Sequence, residues 1–204
     1  MPEQAADALL FDLGRVVIDI DFKRCIARWA DHAHCDPRLI EERFRRDVSY
    51  RRHEVGELDT KEFFAGLQAA CEIELSHDQF LEGWNAIFVG EVPGMAELLA
   101  RAARQVPLYA FTNTNPDHQL VWSQRFAPIL ANFKEIFVSS TIRLRKPDAA
   151  AYDHVVRAIG APAERIVFFD DVMENVEGAR ARGLQAVHVR SSADVAHALT
   201  ALGL

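Results

Sequence analysis

The feature that most constrains this chain is a repeated texture: a short apolar run, then a polar turn carrying one reactive side chain. The runs are ALLF (8–11), VPLYAF (106–111), EIFVS (135–139), RIVFF (165–169) and AVHV (186–189). Helix-like segments follow most of them, at GMAELLARAARQ (94–105), AAAYDHVVRAIG (149–160), ENVEGARARG (174–183) and SADVAHALTAL (192–202). Strands alternating with amphipathic helices predict βαβ units, and so an α/β fold with a parallel sheet covered by helices on both faces. Gly160 and Gly183 stand where two of these helices should stop, and Pro107 follows the first.

Residues 22–90 break the rhythm. FKRCIARWADHA, PRLIEERFRRD, TKEFFAGLQAACE and SHDQFLEGWNAIF carry apolar residues at helical spacing with no convincing strand between them. A crossover needs one helix, so this stretch predicts an inserted helical bundle. The expected organisation is a core formed by residues 1–21 and 91–204, with 22–90 as a separate helical unit. Trp29, Trp84 and Trp122 are expected in the core.

Bulk properties narrow the partners. A net charge of −7 argues against nucleic acid. No apolar stretch approaches the roughly 18 residues of a membrane helix, and the N-terminus lacks the basic flank of a signal peptide. Cys25, Cys35 and Cys71 form no CxxC pair, which points to free thiols and a reducing, cytoplasmic setting. In ERFRRDVSYRRHE (42–54), five arginines between Arg43 and Arg52 read either as a solvated face or as an anion-attracting patch. The spacing of His32, His34 and Cys35 does not share one helix face, so DHAHC is not a metal site.

In an open α/β sheet, ligands bind beyond the carboxyl ends of the strands, so the first polar residues after each run matter most. Asp12 comes after the first, Thr112 and Asn113 after the second, Lys146 after the third, and Asp170 with Asp171 after the fourth. Each alone reads as turn or helix-cap chemistry. Together they place an acid, a hydroxyl, a cation and an acid pair at one end of the sheet. The order, in FDLGRVVIDIDF, FTNTNPDH, RKPDAAAYDHV and FFDDVMENVEGARARG, resembles the haloacid dehalogenase superfamily over essentially the whole chain. The subgroup it most resembles contains bacterial α-glucose-1-phosphate phosphatases and the phosphatase domain of soluble epoxide hydrolases.

That resemblance implies a Rossmann-like core with a helical cap, and a nucleophilic role for Asp12. Asp19 and Asp21 are then turn or capping residues. It also implies Mg²⁺ held by Asp12, the Gly14 carbonyl and Asp171, with Asp170 and Asn175 behind them. Lys146 would hold Asp12 and the phosphoryl oxygens, and Thr112 with Asn113 would donate to those oxygens. Oxygen ligands suit Mg²⁺ and nothing here favours zinc.

One departure stands out. Most phosphatases of the superfamily place a second aspartate two residues after the nucleophile as general acid, where this chain has Gly14. Such an acid is typically worth about 10²–10⁴-fold in rate. The expected activity is a phosphatase on a small phosphorylated metabolite whose leaving oxygen needs little protonation, such as a hexose 1-phosphate. A catalytically reduced binding module and a metal-free 2-haloacid dehalogenase are the alternatives. Arg15, Arg45 and Glu54 are candidate substrate contacts, with Glu54 a possible substitute acid. The chain is expected to be a monomer or homodimer.

Overall fold

The computed structural model describes residues 6–44 and 48–204. Strands β1 (Ala8–Phe11), β4 (Leu108–Thr112), β5 (Phe133–Val138), β6 (Ile166–Asp170) and β7 (Gln185–His188) form one parallel sheet in the order β5-β4-β1-β6-β7. Both faces are covered, which is why the inner strands are apolar at every position rather than at alternate ones. Leu9, Phe11, Ala110, Val167 and Phe169 enter one core. Leu10, Tyr109, Phe111, Ile166 and Phe168 enter the other. The first face is covered by helices α6 (Met95–Ala102) and α12 (Ser192–Ala201), through Leu99, Val195 and Leu199. The second is covered by α10 (Ala149–Ile159) and α11 (Met173–Ala181), through Tyr152, Val155 and Ala179. After β1 the sheet grows outward through β4 and β5, then resumes on the opposite side of β1 with β6. The tip of β1 is therefore the switch point of the sheet, where ligand crevices form.

Between β1 and β4 the chain leaves the sheet. It turns through Arg15, whose φ of 59° is left-handed, into β2 (Ile18–Ile20). Among the described residues five helices come next: α1 (Phe22–Ala33), α2 (Pro37–Arg43), α3 (Val48–Glu54), α4 (Thr60–Cys71) and α5 (His77–Asn85). The return strand β3 (Phe88–Glu91) pairs antiparallel with β2. Two details differ from the sequence reading. The helix expected through Phe88 ends at Asn85, and Phe88 begins a strand instead, because Ile20 lies across from it in the ribbon. In PRLIEERFRRD, α2 ends at Arg43 with Phe44 as its C-cap, residues 45–47 lie outside the described residues, and α3 begins at Val48.

Local chemistry sets the helix ends. Asp21 accepts from the Lys23 amide at the start of α1, which is the capping role expected of the Asp19–Asp21 pair. Capping boxes open α4 (Asp59 with Glu62) and α5 (Ser76 with Gln79). Inside the insertion, Trp29 and Trp84 stack at 5.8 Å and are fully buried. Gly83 makes this possible, since a Cβ there would lie 2.2 Å from the Trp29 ring. Trp122 is buried as well. Arg43 pairs with Glu72 and Arg52 with Glu57, so these two serve the insertion's own surface, whereas Arg45 and Arg46 lie outside the described residues. His32 bonds to Glu82, and among the described residues DHAHC forms no metal-ligating group. Among the described residues no helix is long and apolar enough to cross a membrane. The three cysteines are free.

The insertion docks on the sheet domain through α5 and α7 (Pro116–Arg125). Trp84 stacks on His118 at 4.5 Å, and His118 Nε2 lies 2.9 Å from the Trp84 carbonyl. Burial pushes the His118 imidazole down to about 3. The folded chain thus refuses a proton that the unfolded chain takes up below about pH 6.5. Stability supported by neutral His118 is complete above that pH and is lost as pH falls towards 3. One proton is worth about 1.4 kcal/mol per pH unit, so this histidine should cost about 2 kcal/mol between pH 7 and pH 5. Chemical denaturation at the two pH values should show a correspondingly smaller loss in His118→Phe.

Candidate active site

Asp12 is the first residue beyond β1. Its amide bonds to the Phe169 carbonyl on β6, which fixes it at the tip of the central strand pair. Its Oδ1 accepts from the Leu13 amide at 2.7 Å and lies 2.9 Å from Lys146 Nζ. Lys146 is 1% exposed and its ammonium also donates to Asp170 Oδ2 at 2.7 Å. The rings of Phe111 and Phe168 each lie 5.4 Å from that ammonium. A buried lysine needs such partners: burial opposes its charge, yet Asp12 and Asp170 hold its pKa above the ordinary value.

Three neighbours fix this arrangement. Asn113 accepts from the Lys146 amide and donates to the Lys146 carbonyl, both at 2.9 Å. Asp170, fully buried, accepts from the Val172 amide and from Asn175 Nδ2 in addition to Lys146. Asn175 in turn takes a 2.7 Å bond from Tyr152 on its carbonyl. Asp171, next along, is more open, with Arg15 Nη1 3.9 Å from its Oδ2.

Carboxylate oxygens of Asp12, Asp170 and Asp171 lie within 4.8 Å of one another. Three acids share one ammonium, and the electrostatics show the imbalance. Burial pushes the Asp12 carboxyl up to about 7 against the pull of Lys146, with Asp170 and Asp171 adding to the rise. Burial and Asp170 likewise raise Asp171. A divalent cation bound by oxygen would remove this surplus of negative charge, and Mg²⁺ suits a site with few carboxylates and room for water. The donor set therefore fits the ion. Asp170, with both oxygens already bonded, is the poorest ligand of the three; Asp12 and Asp171 are the better ones.

The residues singled out in the sequence converge on one cavity of about 320 Å³: Asp12, Gly14, Arg15, Glu54, Thr112, Asn113, Lys146, Asp171 and Asn175 all line it. Asp170 stands behind, where it touches Lys146 rather than the cavity. Arg45 lies outside the described residues. Two expectations change in detail. Asn113 spends its side chain on the backbone of Lys146, and so acts through that residue. Glu54, the imagined replacement acid, has Oε2 3.0 Å from Arg145 Nη2 and 3.2 Å from Nε, so this oxygen is paired with a guanidinium. Arg145 itself was missed, although it precedes Lys146 directly. Ser139 was missed too: its hydroxyl donates to the Glu54 carbonyl at 2.7 Å and accepts from the Thr114 amide. No local pattern marks either, because both partners lie far away in sequence.

A family model for haloacid dehalogenase-like hydrolases matches residues 6–183. A sesquiterpene phosphatase (astK) of Aspergillus oryzae is 35% identical over 100 residues, covering 48% of this chain and 50% of that protein. A drimenol cyclase (drtB) of Aspergillus calidoustus is 33% identical over 94 residues, 46% of this chain and 17% of that protein. These matches thus span half or less of the curated relatives. Among solved structures, a HAD-family enzyme from Bacteroides thetaiotaomicron in complex with magnesium and inorganic phosphate superimposes with a TM-score of 0.81. It is 23% identical, and the match covers 95% of this chain and 98% of that one.

Removing the shared ammonium should be costly. Lys146→Met leaves Asp12 and Asp170 buried without their cation, and breaking such a pair typically costs about 3–5 kcal/mol. Urea denaturation in the presence of a chelator should show a loss of that order. A loss below about 1 kcal/mol would contradict the central place given to this contact.

Proposed function

The chain belongs to the haloacid dehalogenase-like hydrolases, and on that premise we propose that it is a Mg²⁺-dependent phosphomonoesterase whose nucleophile is Asp12. The observation that carries this is the Asp12–Lys146 contact of 2.9 Å at the tip of β1, opening on a cavity with Asp171 and Thr112. The sesquiterpene phosphatase among the relatives supports the reaction class, as does the fold shared with a magnesium–phosphate complex.

The Asp12 carboxylate attacks phosphorus, and the bond from phosphorus to the leaving oxygen breaks with its electron pair going to that oxygen. Water supplies the proton, since position 14 has no acid. A second water then hydrolyses the aspartyl-phosphate, releasing inorganic phosphate and restoring Asp12. Lys146 neutralises the phosphoryl oxygens near Asp12, and the Thr112 hydroxyl donates to one of them. Asn113 and Asp170 are positioning residues that fix Lys146, and Asn175 fixes Asp170. Mg²⁺, held by Asp12, Asp171 and the Gly14 carbonyl, would offset the repulsion between carboxylates and phosphoryl oxygens. In a metal-free dehalogenase or a chain retired from catalysis Asp170 would still hold Lys146, but Asp171 would have no ion to hold.

We read residues 22–90 as a cap over a core of 1–21 and 91–204, with the Glu54–Arg145 pair latching the two together. Rim contacts with substrate then fall to Arg15. Departure without an acid favours a leaving oxygen of low basicity, and a hexose 1-phosphate meets that criterion. The free thiols suit a cytoplasmic monomer or homodimer.

Phosphate release should require Mg²⁺ and vanish in Asp12→Asn. No release from any member of a broad phosphate ester panel, with metal present, would sink the proposal. Metal binding should also register as stability: at 100 times its Kd, Mg²⁺ should add about 2.7 kcal/mol, and Asp171→Ala should lose most of that gain. Gly14→Asp tests the missing acid. A Cβ there lies 3.0 Å from the Ile20 δ1 methyl, the movable tip of a side chain. Turnover of simple alkyl phosphates should rise by up to about 10²-fold in this variant, with hexose 1-phosphate gaining less.

A further inference from the structure

The cavity beside Asp12 has two unlike sides. One is the charged end already described. The other is built from Ile18 and Ile20 of β2, Phe22 of α1, Ile87 and Phe88 at the start of β3, and Trp122 of α7. Ile20 comes closest to the chemistry, because its δ1 methyl lies 3.0 Å from where a Gly14 side chain would begin. The place from which a general acid would reach the leaving oxygen is thus bordered by hydrocarbon.

The polar groups nearby are committed to the protein. His118 Nε2 lies 2.9 Å from the Trp84 carbonyl and its Nδ1 lies 3.1 Å from Asn115 Nδ2. The Thr114 amide donates to the Ser139 hydroxyl. Glu54 is held by Arg145. Arg15, Arg51 and Glu174 are exposed and stand at the rim. One exception remains among the described lining residues: Trp122 is 5% exposed, and its indole N–H has no protein partner.

We infer that the leaving group is an apolar alcohol, a hydrocarbon body with few hydrogen-bonding groups of its own. This rests on the phosphomonoesterase reading and narrows its substrate class. A polyol placed against this wall gives up hydrogen bonds to water and finds no partners in return. A hydrocarbon gains by leaving water. Leaving-oxygen acidity is therefore one criterion of the site and apolarity a second, and a hexose meets only the first. At about 320 Å³ the cavity is near the small end of ligand sites, so the body is compact.

Binding of n-alkylphosphonates tests this independently of turnover. Affinities of the methyl, butyl, hexyl and octyl compounds are measured by calorimetry with Mg²⁺ present. Kd should fall about fourfold per added methylene until the chain outgrows the cavity, and a fully hydroxylated six-carbon phosphonate should bind at least tenfold more weakly than hexylphosphonate. A Kd that does not change along the series, or a hydroxylated compound that matches hexylphosphonate, would overturn the inference. Ile20→Asn should weaken hexylphosphonate at least tenfold more than methylphosphonate; equal loss on both would remove Ile20 from the wall. A graded series without any phosphate release would support the apolar site and overturn the hydrolytic reading. Phosphate release with a flat series would do the reverse.

Discussion

One buried ammonium organises this protein's functional end. Lys146 lies between Asp12 on β1 and Asp170 on β6, at 2.9 and 2.7 Å, with 1% of its surface exposed. Remove it and two acids on neighbouring strand tips face each other across a dry space. Retain it and the acids still outnumber it, because Asp171 lies beside them. The fold thus holds one cation of its own between two acids and leaves a third acid beside them. The Asp12 carboxyl is pushed up to about 7 chiefly by burial, with Asp170 and Asp171 adding to the rise against the pull of Lys146. Much of the surrounding bonding serves the ammonium: Asn113 holds its backbone, Asn175 holds Asp170, and Tyr152 holds Asn175.

The same loop joins the helical insertion to the core. Arg145, next to Lys146, reaches Glu54 at the end of α3, and the Ser139 hydroxyl takes the Glu54 carbonyl. Gly56 lies just beyond, where any Cβ would lie 2.9 Å from the Ser140 carbonyl oxygen. Consecutive residues therefore do two jobs: Lys146 partners Asp12, and Arg145 fastens a wall of the cavity. Movement of α3 would be felt one residue from the ammonium. One peptide segment thus ties α3 to the residue that partners Asp12.

The sheet was legible in the sequence because both of its faces are buried. Strands such as ALLF and IVFF must then be apolar throughout, and each must end where polar chemistry begins. The tips of β1, β4 and β6 could be read for the same reason, as the first polar residues after such runs. The β2–β3 ribbon was harder. VVIDID and IFVGE are short, interrupted by acids and a glycine, and separated by more than sixty residues, so neither announces a partner. Arg145 was hidden by its neighbour: in RLRKPD the lysine draws attention, and nothing local shows that the arginine meets a glutamate 91 residues away in the chain.

Position 14 shows where reading a sequence ends and geometry takes over. A glycine there reports an absence, the loss of an acid, but says nothing of what borders the space. In the fold, β2 turns back on the nucleophile loop through the Gly14–Ile18 bridge, and this brings Ile20 against Gly14. The pleat then dictates the rest. Ile18 and Ile20 are two apart on one strand and so share a face, which here is the face turned to the cavity. Asp19, between them, points the other way. Of the acid–x–acid pattern that looks like chemistry in the sequence, Asp19 thus stands behind an apolar wall and Asp21 caps α1, while the isoleucines on either side of Asp19 line the cavity.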